Sequence, residues 1–236
     1  MLYVKTADLA QVKIEFHGPG ADIGDLAPVV LPEGVSRVVL PTAGHRVLVE
    51  LGHPGSEASP PAVLLLAGPS EAGALPLAEY ASRLRQSGLV SVLPHDAQAP
   101  SQDRADILLD TIAHLERCRN IDASRIGIVA FSESGSLALV VAALAPGARV
   151  LTLHGATMPA GMNGELADDL PRALLIAGSA DAGGIASQQA IESLLQSRGI
   201  PCDVHVQDGV GPGLLEPDAL ADAWDRMFRY QLDFVR

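Results

Sequence analysis

A chain of 236 residues, 48% of them hydrophobic, is long enough to bury a central sheet on both faces. Only 3% are aromatic, so the core must be built from Ala, Val, Leu and Ile. Asp and Glu outnumber Lys and Arg by 28 to 16, a net charge of −12, which argues against nucleic acid and anionic membrane surfaces. No measurable binding to duplex DNA is expected at physiological salt, and a salt-sensitive micromolar gel shift would overturn that exclusion. The start, MLYVKTADLAQVK, lacks an apolar core behind a basic end. No apolar run reaches the ~20 residues of a membrane span. A soluble cytoplasmic protein acting on small molecules is therefore expected, with an oligomer possible. Cys118 and Cys202 are far apart and lack metal-type spacing, so they read as two reduced thiols, with no metal and no cofactor.

Residues 1–40 read as extended, with VKIEF and SRVVL as strand-like pieces joined by the turn-rich HGPGADIGD. They form an N-terminal arm or extra strands within one domain spanning 1–236. Residues 45–51, HRVLVEL, are another strand, and 54–61, PGSEASPP, a loop. The fully apolar AVLLLA of 62–67 reads as a strand buried on both faces, running into the small residues Gly68-Pro69-Ser70-Glu71-Ala72-Gly73. A helix over 77–87 stops at Gly88, a strand covers 89–93, and Pro94-His95-Asp96 follow it. Over 103–118 apolar residues recur with helical spacing at Ile107, Leu108, Ile112 and Leu115.

Residues 125–145, RIGIVAFSESGSLALVVAALA, organise the rest. An apolar run crosses the small cluster Ser132-Glu133-Ser134-Gly135-Ser136 into an apolar stretch of helical length. Strand, tight turn and helix fit this order, with Ser132 at the apex and the helix dipole aimed at it. Ser134 and Ser136 read as capping residues. Beyond it come a strand at 149–153 ending in His154, an irregular loop over 157–171, and a strand at 173–177 ending in Gly178-Ser179-Ala180-Asp181. A helix over 187–197, a strand over 202–207, the loop 208–217 and a C-terminal helix from 218 to about 234 complete the chain. Alternating strands and helices predict a doubly wound, mostly parallel α/β sheet with helices on both faces. Ser70, His95, Ser132, His154 and Asp181 all follow strands, so they should lie along one rim.

From about residue 40 onward, this order and the turn at Ser132 resemble the α/β-hydrolase superfamily, within it the dienelactone hydrolase-like group. The family's G-x-S-x-G elbow reads here Ala130-Phe131-Ser132-Glu133-Ser134, with Gly135 after it. Small residues are needed there because strand and helix pass close together. The resemblance implies a fold of the α/β-hydrolase type with Ser132 as nucleophile. It also implies an acid in a G-x-x-D pattern, which Asp181 matches. The other reading of Asp181 is a solvated loop aspartate.

Two features depart from the family. Its histidine follows the last strand, where this chain has Gly209-Val210-Gly211-Pro212-Gly213-Leu214, with Pro212 at the expected position. Proline accepts no proton, so the ordinary Ser-His-Asp relay is degenerate. At the oxyanion loop Gly68 is followed by Pro69, which has no N–H; Ser70 and the Glu133 amide are the donors left. In the family's strand order His154 ends the strand beside that of Ser132, whereas His95 lies two strands away on the other side, a substrate-side position. His154 is thus the replacement base, with Asp181 one strand further on to orient it. The alternative is a histidine that caps a strand end by bonding backbone.

Three functions follow from the resemblance. One is hydrolysis of ester, lactone or similar carbonyl substrates by Ser132 with a non-standard base. Another is a non-hydrolytic cyclase, lyase or isomerase on the same scaffold. The third is a catalytically inactive ligand-binding member.

Overall fold

The apolar runs form strands and the periodic stretches form helices, in the alternating order that the pattern predicts. The computed structural model describes residues 33–42, 45–55, 59–68, 77–95, 99, 101–157, 170–211 and 217–235. The VKIEF piece, Pro69, Ser70, most of the 157–171 loop and Pro212 lie outside the described residues.

Strands β1 (Val35–Thr42) and β2 (His45–Gly52) pair antiparallel, and β2 pairs antiparallel with β4 (Val90–Pro94). From there the sheet is parallel through β3 (Pro61–Leu66), β5 (Asp122–Phe131), β6 (Ala148–His154), β7 (Arg172–Gly178) and β8 (Cys202–Gln207). The order across the sheet is β1-β2-β4-β3-β5-β6-β7-β8. It is the mostly parallel, mixed sheet expected for an α/β hydrolase.

Side-chain alternation distributes each central strand between two layers. Ile126, Ile128 and Ala130 of β5 join one core with helices α2 (Ser101–Glu116), α3 (Ser134–Leu144) and α4 (Ala182–Ser197). Val129 and Phe131 join the other, under α1 (Leu77–Gln86) and α5 (Pro217–Val235). All of β3 is buried, which explains why its sequence is a continuous apolar run rather than an alternating one. Each such Val or Leu contributes about 1.5–3 kcal/mol relative to exposure.

On the α5 face a buried amide ties the layers together. Gln231 donates from Nε2 to the Ile128 carbonyl and to Thr152 Oγ1, both at 3.2 Å. A side chain at Gly127 would occupy the space of Gln231, so glycine in the middle of β5 is a packing requirement.

Helix α4 begins at Ala182 rather than at 187. Asp181 is its N-cap, accepting a hydrogen bond from the Gly184 amide at 2.9 Å, and this supports a first turn that contains Gly183 and Gly184. Both cysteines are free thiols. Among the described residues no helix is long and apolar enough to cross a membrane, and no group of three or more His, Cys, Asp or Glu is placed to hold a metal ion.

Candidate active site

The β5–α3 turn is built by a backbone that most residues avoid. Ser132 has φ 47°, the single non-glycine residue with positive φ among the described residues. A left-handed conformation outside glycine costs about 1–3 kcal/mol and persists where surrounding contacts over-determine it. Those contacts are present. The Ser132 amide donates to the His154 carbonyl at 2.9 Å, extending the β5–β6 ladder past the end of the strand. Its own carbonyl accepts from Gly135 N at 3.0 Å and from Thr157 N at 3.3 Å. Glu133, exposed, stands at the N-cap of α3 with αR geometry, so its main chain sits at the positive end of that helix.

The closest approach of strand and helix falls at Gly135. A Cβ there would collide with Ala156, just beyond β6. Ala130 and Ser134, at the family's glycine positions, are tolerated because both find room in the core, each fully buried. Ser134 caps nothing, contrary to expectation: its hydroxyl is turned inward to Arg104. Ser136 bonds back to the Glu133 carbonyl at 3.3 Å from the exposed side.

Arg104 is the functional-region residue that the sequence reading overlooked. Only 8% exposed, it donates from Nη2 to the Ala67 carbonyl at 3.1 Å and to Ser134 Oγ at 3.3 Å. It thereby joins α2, the end of β3 and the first turn of α3, two residues past Ser132 in the chain. The signal was available: Arg104 lies three and four residues before Ile107 and Leu108, on the buried stripe of its helix. Arg104→Leu is expected to lower stability by roughly 1–3 kcal/mol in urea unfolding, because it leaves two buried acceptors without this donor. An unchanged denaturation midpoint would show that these bonds contribute nothing.

The sheet order carries Ser132, His154 and Asp181 onto the ends of three successive strands, as expected. Phe131 pairs with His154 across β5–β6, and His154 with Ile176 across β6–β7. The side chains of His154 and Asp181 then take different surroundings. His154 is 2% exposed and lies on the α1/α5 face, edge-on to Phe131 with ring centroids 5.5 Å apart. Its Nε2 is buried without a hydrogen-bond partner. Burial lowers its pKa to about 4, so the ring is neutral at physiological pH. The Asp181 carboxylate is engaged as the cap of α4. Among the described residues no hydrogen bond links the three side chains.

His95 stands apart at the end of β4, two strands from β5. Its Nε2 lies 3.3 Å from Glu50 Oε1, which Arg37 Nε also contacts at 2.9 Å. The bonds from His95 and Arg37 hold the Glu50 carboxyl at about 2, against the opposing effect of burial. His205, inside β8, faces α5 with Nε2 3.1 Å from Asp222 Oδ2. Neither histidine is brought to Ser132.

Comparison with known proteins agrees with this fold. No curated protein matches the chain. Among solved structures, the dienelactone hydrolase of Anabaena variabilis superposes with a TM-score of 0.68 at 18% identity, covering 86% of this chain and 100% of its own. A dienelactone hydrolase-like promiscuous phosphotriesterase from metagenomic libraries gives 0.71 at 17% identity, with 85% and 98% covered. The esterase of the archaeon Pyrobaculum calidifontis gives 0.69 at 16% identity, with 85% and 86% covered. At such identities these likenesses show the fold. The sequence itself goes further, since residues 91–234 match the dienelactone hydrolase family. With its eight-stranded mixed sheet, its strained serine elbow and this match over more than half its length, the chain belongs to the dienelactone hydrolase family of the α/β-hydrolase superfamily.

Proposed function

We propose that the protein hydrolyses small ester, lactone or similar carbonyl substrates, with Ser132 as the attacking nucleophile. The positive φ of Ser132 at the β5–α3 turn is the observation that carries this reading. A serine held at the apex of such a turn presents its hydroxyl at the carboxyl ends of the strands, where open α/β sheets bind ligands. The Glu133 amide at the start of α3 supports the oxyanion of the tetrahedral intermediate, and Ser70 is the second candidate donor.

His154 is the proposed base. Burial keeps its imidazole neutral, which is the form that accepts the serine proton, and its strand adjoins that of Ser132. Asp181, after the next strand, is assigned the role of the acid. His95, with Glu50 beside it, is assigned to the substrate side of the rim.

A second reading rests on a specific observation. With no hydrogen bond joining Ser132, His154 and Asp181 among the described residues, the same scaffold also suits a non-hydrolytic enzyme or a ligand-binding member that does not use an acyl-enzyme. Proton release from a panel of p-nitrophenyl esters and small lactones, followed at constant pH, separates the readings. Hydrolysis above buffer that Ser132→Ala abolishes is the expected result. A panel-wide rate equal to buffer would overturn the hydrolase reading.

A further inference from the structure

Strand β8 ends the sheet, and nothing among the described residues pairs with its outer edge. Its main-chain polarity can be read from its inner edge. The carbonyls of Pro201 and Gln207 accept from Ala173 and Ser179 of the β7 side. Main-chain groups alternate in direction along a strand, so odd-numbered residues face β7. Cys202, Val204 and Val206 therefore direct their N–H and C=O groups outward. The same strand carries Val204 at 40% and Val206 at 44% exposure, two of the three exposed large apolar residues among the described residues. Natural edges are usually blunted by charged side chains, Lys above all, by Pro, by a bulge or by short length. Cys202–Gln207, CDVHVQ, has neither Lys nor Pro, its register with β7 is unbroken, and its one carboxylate is Asp203.

We infer that β8 is a self-pairing edge: two copies of this chain join antiparallel through β8, with Val204 on the twofold axis. The geometry and the charges select the same register. With Val204 opposite Val204, the outward-facing residues Cys202, Val204 and Val206 all fall at hydrogen-bonded positions, making about six main-chain bonds. Val206 then lies opposite Cys202 of the second copy, an apolar pairing. Asp203 lies opposite His205 of the second copy, twice by symmetry. Shifting the axis to residue 203 places Asp opposite Asp, and shifting it to 205 places His opposite His. Of these three registers, the Val204-centred one alone sets Asp203 opposite His205.

The surroundings suit this arrangement. His205 is already held on the α5 face by Asp222, at 3.1 Å, so its ring is positioned to meet Asp203 of the second copy. An open groove of about 320 Å³ beside the strand is lined by Asp203, His205, Arg226, Arg229, Tyr230 and Asp233. Its mixed charge spares the two copies a like-sign encounter there.

Cross-linking of the full chain tests the register directly. Hydrogen-bonded antiparallel pairs hold Cα atoms about 5.5 Å apart, within disulfide range. In a Cys118→Ser, Cys202→Ser background, Val204→Cys is expected to give a disulfide dimer under mild oxidation. Leu144→Cys, also exposed but remote from β8, serves as the control. Val204→Lys, which sets two ammonium groups against each other, should weaken dimerisation at least about tenfold by sedimentation equilibrium while leaving the circular dichroism unchanged. A protein monomeric at high micromolar concentration would overturn the inference. So would a Val204→Cys cross-link no stronger than the Leu144→Cys control, or a dimer indifferent to Val204→Lys.

Discussion

A fluorophosphonate or an activated phosphonate ester is expected to attach once to this protein, at Ser132, and intact-mass spectrometry should show the single adduct. Ser132→Ala should show none. The chemical reason is that, among the described residues, only the serine at the strained turn combines a left-handed backbone with a place at the N-terminus of α3. Ser134 is buried against Arg104, and Ser136 is engaged with its own helix turn. His154→Ala should slow labelling by ~10²–10⁴-fold, the usual contribution of a general base. The pH profile should carry the mark of burial. A base must be deprotonated to act, so labelling should hold steady from pH 8 to 5 and fall only towards the lowered pKa of about 4. An inflection near 6.5 would point to a solvated histidine instead. Labelling that survives His154→Ala undiminished would remove His154 from the mechanism. Absence of any adduct on Ser132 would favour the non-hydrolytic reading.

The second large effect concerns stability and comes from the same ring. In the unfolded chain His154 takes up a proton near 6.5; folded, it does so only near 4, because charging it would place an imidazolium in the α1/α5 core. Between these values the unfolded state binds more protons, so acid favours unfolding. The stability contribution is fully present above pH 6.5 and is lost as pH falls towards 4, amounting to about 3 kcal/mol. Burial also lowers the pKa values of His53 and His114, which act with the same sign. The informative quantity is therefore a difference. His154→Leu should unfold less steeply with acid between pH 6.5 and 4 than the wild-type protein, measured by urea midpoints across that window. Parallel curves would mean that the ring is solvated in the folded protein. Below about pH 4.5 a further loss is expected as Glu50, held near 2 by His95 and Arg37, becomes protonated in the unfolded chain first.

The element order, the mostly parallel sheet, the elbow at Ser132 and the strand-end positions of His154 and Asp181 were legible in the amino-acid sequence. These depend on local periodicity and on small residues at a turn, information carried within a dozen neighbouring positions. Even so, α4 was read five residues too short, because two glycines masked a turn that the Asp181 cap supports. Other properties depend on contacts between residues 30 or more positions apart, which no local pattern encodes. Arg104 reaches Ser134 across 30 positions and Ala67 across 37. Gln231 reaches Ile128 across 103. Which way the His154 ring turns was likewise a tertiary matter. Strand alternation puts it on the α1/α5 face, and the packing of α5 against β6 denies it water and a partner. Sequence established that a histidine follows the strand beside the elbow. Burial alone, a property of the assembled layers, decided that this histidine is neutral, unpartnered and acid-sensitive.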